Sequence, residues 1–199
     1  AESMADEFIE KFQQRAKSIV VGDPMQPGTH LGPLISQVQL QRVENYVKIG
    51  RESGAHVLWE GTPKPIPGHE QGYFFQPTVF TQVQPDMRIA QEEIFGPVIS
   101  IMRTNTVDEA LAIENANPYG NAASVFTQNG GMARYIIDRA SAGMIGVNVG
   151  VPVPREPFSF GGWNESKFGV GDITGKSSIE FWTQLKKSTT QWHPAAGAN

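Results

Sequence analysis

The chain has 199 residues, 39% hydrophobic and 18% charged, with a formal net charge of −4. That balance fits a globular protein of about one domain with a sizeable core, and excludes a disordered chain. No basic run, no apolar stretch of membrane-spanning length and no signal-peptide core is present, which argues against nucleic acid, membrane and secretory readings and toward a cytoplasmic protein. The chain contains no cysteine, so disulfides, thiolate metal sites and thiol catalysis within it are excluded.

In chain order, Met4, Ala5, Phe8, Ile9 and Phe12 recur at helical spacing and predict a helix over 3–17. Ile19 to Val21 reads as a short strand, followed by a loop broken at Gly22-Asp23-Pro24 and Pro27-Gly28. Ser36 with Gln39 is a capping-box pattern. It opens a helix with Leu40, Val43, Val47 and Gly50 on one face and Gly54 as its stop. His56 to Glu60 and Thr78 to Phe80 read as strands around a Pro- and Gly-rich surface loop over 61–77.

From Val98 the pattern is regular: a strand over 98–102, a helix opened by Thr106 and Glu109, a turn at 117–120, a strand over 122–126, a helix over 130–140 and a strand over 144–148. Strands alternating with helices imply an α/β fold with a mostly parallel open sheet and helices on both faces. Residues 149–176 hold six glycines and three phenylalanines without a period; a loop of that length is usually functional. Beyond it Ile179, Phe181, Thr183 and Leu185 alternate with polar residues, predicting a strand over 177–192 suited to pairing with a second subunit. The tail over 193–199 is expected to be disordered.

Several candidate chemistries fail on spacing. Gly169 to Ser177 lacks the glycine a phosphate loop needs five positions before its Gly-Lys pair, where Val170 stands. The four histidines have no partners at metal-ligand spacing, so no metal site is expected. Glu92 and Glu93 are neighbours and a poor acid/base dyad; on physical grounds alone they read as a solvated surface pair. Phe158, Phe160 and Trp163 either anchor the long loop or wall a small-molecule pocket.

One run, Gln91-Glu92-Glu93-Ile94-Phe95-Gly96-Pro97-Val98, resembles a signature of NAD(P)-dependent aldehyde dehydrogenases. The likeness extends from about residue 6 to residue 192, through Leu31 to Ile35, Asn115 to Asn121 and Phe160-Gly161-Gly162-Trp163. It corresponds to the part of that family that follows its catalytic cysteine. The segments Gly146 to Pro154 and Phe181 to Trp192 are similar to the CoA-acylating methylmalonate-semialdehyde dehydrogenase subgroup.

The resemblance implies that residues 1–176 form part of a catalytic domain and 177–192 an oligomerisation strand. It implies that Glu93 binds the nicotinamide ribose, that Phe95 packs beside the nicotinamide, and that Phe160 and Phe158 line the substrate side. Its cofactor would be NAD, with CoA as co-substrate and a small semialdehyde as substrate, in a homo-oligomer. No catalytic residue is expected within the chain, because the nucleophile, oxyanion asparagine and dinucleotide domain of the family precede this segment. Alone, the chain is expected to bind NAD weakly and to be inactive. Two rivals stand beside this reading: a non-catalytic assembly or regulatory relative, and a fragment of a non-acylating aldehyde dehydrogenase.

Overall fold

The computed structural model describes residues 2–155, 157–169 and 171–192. The chain divides into two compact units, Ala1–Ile113 and Glu114–Asn199. Among the described residues no helix is long and apolar enough to cross a membrane.

The first unit opens with helix α1 (Glu2–Lys17), followed by α2 (Gln37–Glu52). Both match the apolar periodicity. The strand expected at 19–21 reduces to one bridge, Val21 with Leu31. Helix α2 begins at Ser36, whose side chain accepts the Gln39 N–H, as its sequence predicts. It ends in a Schellman motif. Gly54 takes φ +86, the Gly54 N–H reaches the Arg51 carbonyl at 3.0 Å, and the Ala55 N–H reaches the Gly50 carbonyl at 3.1 Å. The buried face of α2 is Val43, Tyr46, Val47 and Gly50. Gly50 is required there: a Cβ at that position would lie 2.7 Å from the fully buried Phe80 ring.

Strands β1 (His56–Trp59), β2 (Thr78–Thr81) and β3 (Val98–Ser100) form one sheet in the order β1-β2-β3. β1 and β2 pair antiparallel, β2 and β3 parallel. The one-turn helix α3 (Arg88–Gln91) precedes β3. The core of this unit joins α2 to the sheet through Val43, Tyr46, Val47, Phe75, Phe80, Val83, Ile89 and Ile94. Thr78 is fully buried yet satisfied, since its hydroxyl accepts the Gly61 N–H at 3.0 Å. Helix α4 (Val107–Asn115) starts at Thr106, whose hydroxyl accepts the Glu109 N–H at 3.1 Å. The Glu109 carboxylate reaches back one residue beyond the expected cap, to the Asn105 N–H at 2.7 Å.

In the second unit β4 (Tyr119–Gly120) pairs antiparallel with β7 (Trp163–Asn164), and β5 (Ala122–Val125) pairs parallel with β6 (Met144–Val147). Helix α5 (Gly130–Ile137) is the crossover between β5 and β6, capped by Asn129 through the Met132 N–H at 3.0 Å. The α/β class therefore stands, with two parallel and two antiparallel strand pairings over three small sheets among the described residues.

The strand expected from residue 177 is corrected: Ser177–Trp182 is a helix, α6, with no buried residue. The alternation of Ile179 and Phe181 had no buried face to impose it, since Ile179 is 70% exposed. From Thr183, itself extended at φ −125 and ψ 166, the chain runs to Trp192 without a partner strand among the described residues. The tail expectation over 193–199 lies outside the described residues.

Candidate functional site

The turn after α3 presents the two residues of interest in the first unit. Ile94 is buried and anchors it, while Glu93 and Phe95 on either side are exposed, Phe95 by 74%. Phe95 sits at φ +57, a left-handed conformation that a bulky side chain rarely adopts. Holding an aromatic there costs about 1–3 kcal/mol, so the surroundings must impose it.

They do so through the main chain. The Gln39 side-chain amide donates to the Ile94 carbonyl at 2.9 Å and to the Phe95 carbonyl at 2.8 Å. The Arg42 guanidinium donates to the Glu93 carbonyl at 2.5 Å. Three consecutive carbonyls are thus gripped by side chains one turn apart on α2. Gly96 rests directly on Val43, where a Cβ would come within 2.4 Å of a Val43 methyl. The Val98 N–H bonds the Gly96 carbonyl at 2.8 Å, and the Pro97 carbonyl accepts from the Thr78 N–H at 2.8 Å, which delivers the chain into β3.

The two glutamates, alike in sequence, have different surroundings. Glu92 is bound side-on by Arg88, at 2.6 and 2.8 Å, and also accepts the Tyr46 hydroxyl. Arg88 first and Tyr46 second pull its carboxyl down from the usual 4.5 to about 2. The bond to Glu92 in turn raises the Tyr46 phenol above its usual value. Guanidiniums of Arg42 and Arg88 lie 5.1 and 5.5 Å from the Tyr46 ring centroid, within cation–π range. Among the described residues no hydrogen bond or ion pair engages the Glu93 carboxylate. It stands in solvent on a turn whose backbone is fixed.

In the second unit Phe158 and Phe160 lie on the long loop, 71% and 44% exposed, with Trp163 at 55%. None of the three is buried among the described residues. The loop is held by polar and backbone contacts instead. The Phe160 N–H reaches the Thr174 hydroxyl at 3.0 Å, and Ser159 and Ser177 share a hydroxyl bond at 2.7 Å. Gly175, at φ +64, has no room for a Cβ, which would fall 2.7 Å from the Phe158 backbone. Gly143 and Gly162 meet backbone to backbone, a Cβ on Gly143 lying 2.7 Å from the Gly162 Cα. Lys167 pairs with Asp172 at 2.9 Å. The structure thus places Glu93 with Phe95 on one turn and Phe158 with Phe160 on one loop.

Sequence reasoning missed Gln39, Arg42, Tyr46 and Arg88, whose polar groups set the Glu93 turn. On α2 the i, i+3, i+7 spacing of Gln39, Arg42 and Tyr46 names a helix face without naming what lies 46 to 56 residues away, whereas Arg88 stands at i, i+4 from Glu92, a local pair. A groove of about 510 Å³, lined by Gln82, Pro85, Met102, Arg103, Glu109 and Ile113, lies elsewhere in the first unit. Among the described residues no group of histidine and carboxylate side chains could hold a metal ion.

The family model for the aldehyde dehydrogenase family matches residues 1–188. The chain belongs to the aldehyde dehydrogenase family. It is 39% identical over 189 residues to malonate-semialdehyde dehydrogenase 1 of Geobacillus thermodenitrificans, covering 95% of this chain and 39% of that protein. Over 188 residues it is 43% identical to the acylating, mitochondrial methylmalonate-semialdehyde/malonate-semialdehyde dehydrogenase of Rattus norvegicus, covering 94% and 35% respectively. Among solved structures it superposes on the methylmalonate-semialdehyde dehydrogenase of Oceanimonas doudoroffii with a TM-score of 0.93 at 34% identity, covering 98% of this chain and 40% of that one. It matches a Mycobacterium tuberculosis aldehyde dehydrogenase complexed with NAD+ with a TM-score of 0.82 at 37% identity, covering 95% and 39%. The chain spans between a third and two fifths of the length of these relatives.

Proposed function

We propose that this chain is the C-terminal part of an NAD-dependent semialdehyde dehydrogenase of the CoA-acylating kind. The enzyme would oxidise methylmalonate or malonate semialdehyde and release propionyl-CoA or acetyl-CoA. The observation that carries the reading is the Glu93–Phe95 turn: an unpaired carboxylate and a strained, exposed aromatic, presented to solvent by a backbone that is held at three carbonyls. A pair of hydroxyls on a ribose can donate to one carboxylate, and a flat heteroaromatic ring can lie against Phe95. Those residues fit NAD, which supplies the hydride acceptor when bound. Phe160 and Phe158, both exposed on the loop that ends at α6, are the residues proposed to line the substrate side.

The names of the Geobacillus and Rattus relatives support the semialdehyde class, and the word acylating in the latter supports CoA as acceptor. By itself the chain has no cysteine for nucleophilic attack on an aldehyde, so it is proposed to be inactive; lacking most of the family's NAD surface, it is also proposed to bind NAD weakly. The C-terminal stretch, whose apolar residues Trp182, Leu185 and Trp192 are 71%, 85% and 88% exposed, is proposed to be covered by a second subunit.

The test is a kinetic comparison of the full-length enzyme with Glu93→Gln and Phe95→Ala variants, with and without CoA. Raised KM for NAD in both variants, and CoA-dependent NADH formation with malonate semialdehyde, support the reading. Turnover that ignores CoA sinks the acylating part; NAD kinetics untouched by Glu93→Gln sink the cofactor part.

A further inference from the structure

Glu92 and Glu93 cannot be told apart by composition, yet among the described residues only one of them is free. The other is the junction of three elements. Its carboxylate accepts two hydrogen bonds from Arg88 on α3 and one from Tyr46 on α2, and its own N–H closes α3 on the Arg88 carbonyl at 2.9 Å. Helix α3 needs such a fastening. It has four residues, begins at Met87 without a side-chain cap, and a single turn has no stability of its own. Tyr46 is a rigid post for it, because the ring is 5% exposed and packed in the core while the hydroxyl emerges at the turn.

We propose that Glu92 is a positioning residue for the cofactor-contacting turn: stapled to Tyr46 and Arg88, it sets the direction in which Glu93 and Phe95 leave the core. The inference rests on the proposed contact between Glu93 and NAD. Magnitude separates positioning from plain stabilisation. Arg88 and Glu92 keep 54% and 40% of their side-chain surface in water, and exposed pairs of that kind add little to stability. Glu92 directly precedes Glu93, so the staple holds the turn on its α3 side while Arg42 and Gln39 hold the three carbonyls beyond it. Glutamine at 92 keeps the volume but has one acceptor oxygen; set where it meets the Tyr46 hydroxyl and Arg88 Nη2, it leaves an amide donor facing the Arg88 Nε donor and breaks the side-on pair.

The experiment uses the full-length dehydrogenase with Glu92→Gln, Tyr46→Phe, the double variant, and Glu93→Gln as reference. Each single variant at the staple is expected to raise the NAD KM about tenfold, more than it changes kcat, because misorientation of a binding group is costly. The semialdehyde KM should stay close to wild type, and Tm should fall only slightly. The double variant should be no worse than either single, since both break one junction. Should Glu92→Gln fail to fold, Tyr46→Phe alone decides. An unchanged NAD KM in the staple variants, with Glu93→Gln still impaired, overturns the positioning role and leaves the cofactor reading standing. A common rise of both KM values with a lower Tm marks Glu92 as structural only and also overturns it. An unimpaired Glu93→Gln removes the premise, and the positioning role falls with it.

Discussion

Gly96 lies on Val43 so closely that a single added carbon would sit 2.4 Å from the valine methyl. Val43 is fully buried and cannot yield. Gly96→Ala should therefore displace the Glu93 turn or open the core, at a cost of about 1–3 kcal/mol, as overpacking does. Urea unfolding of the variant checks this; a midpoint equal to wild type would show that the turn is not seated on α2.

Phe95 makes a different prediction because its constraint is in the backbone, at φ +57. Phe95→Gly relieves that strain and gives up little burial, so stability should move by less than about 1 kcal/mol in either direction. Phe95→Val places a β-branched residue in the same region and should be the least stable of the three. Thermal unfolding of the set would settle it, and the order valine below phenylalanine is the part that must hold.

The acid behaviour of Glu92 has a defined sign. Its carboxyl is held down from 4.5 to about 2 by Arg88 and Tyr46, so the ionised form is the one the fold favours. The stabilisation is complete above the unfolded value of 4.5 and is lost as pH falls toward 2. The stability difference between wild type and Glu92→Gln should be flat above pH 5 and shrink below about pH 4.5. A difference that instead changes between pH 6 and 8 would point to another group.

Asn148 locks the second unit at the end of β6. At φ +57 its amide accepts from the Thr127 N–H at 2.9 Å and donates to the Thr127 carbonyl at 3.0 Å. Asn148→Ala loses both bonds and keeps the left-handed backbone, costing about 1–3 kcal/mol. Asn148→Gly loses the bonds but relieves the backbone, and should cost less than alanine. Chemical denaturation of both variants tests the order.

What the sequence carried and what it did not follows from the range of the interaction. The Ser36 cap, the Gly54 stop and the Thr106 start are set by atoms within a few residues, and each stands where its residues indicate. The βαβ reading over 122–147 holds because apolar periodicity is local as well. Gln39 was legible as half of a capping box, yet its side chain is spent on carbonyls 55 and 56 residues away, which no local pattern announces. For Glu92 the Arg88 partner stands at a local i, i+4 spacing, while the Tyr46 hydroxyl, 46 residues away, was invisible for the same reason. At the C-terminus the period-2 pattern over 179–185 misled because Ser177–Trp182 buries nothing, and a pattern without a buried face does not determine a conformation.

Tyr46 sits in two ledgers at once, its ring in the core and its hydroxyl on Glu92. An evolutionary search for thermostability that repacks α2 around this ring will also re-aim the turn above it. Hardening the protein and retuning its grip on a ligand are, at this position, one and the same mutational path.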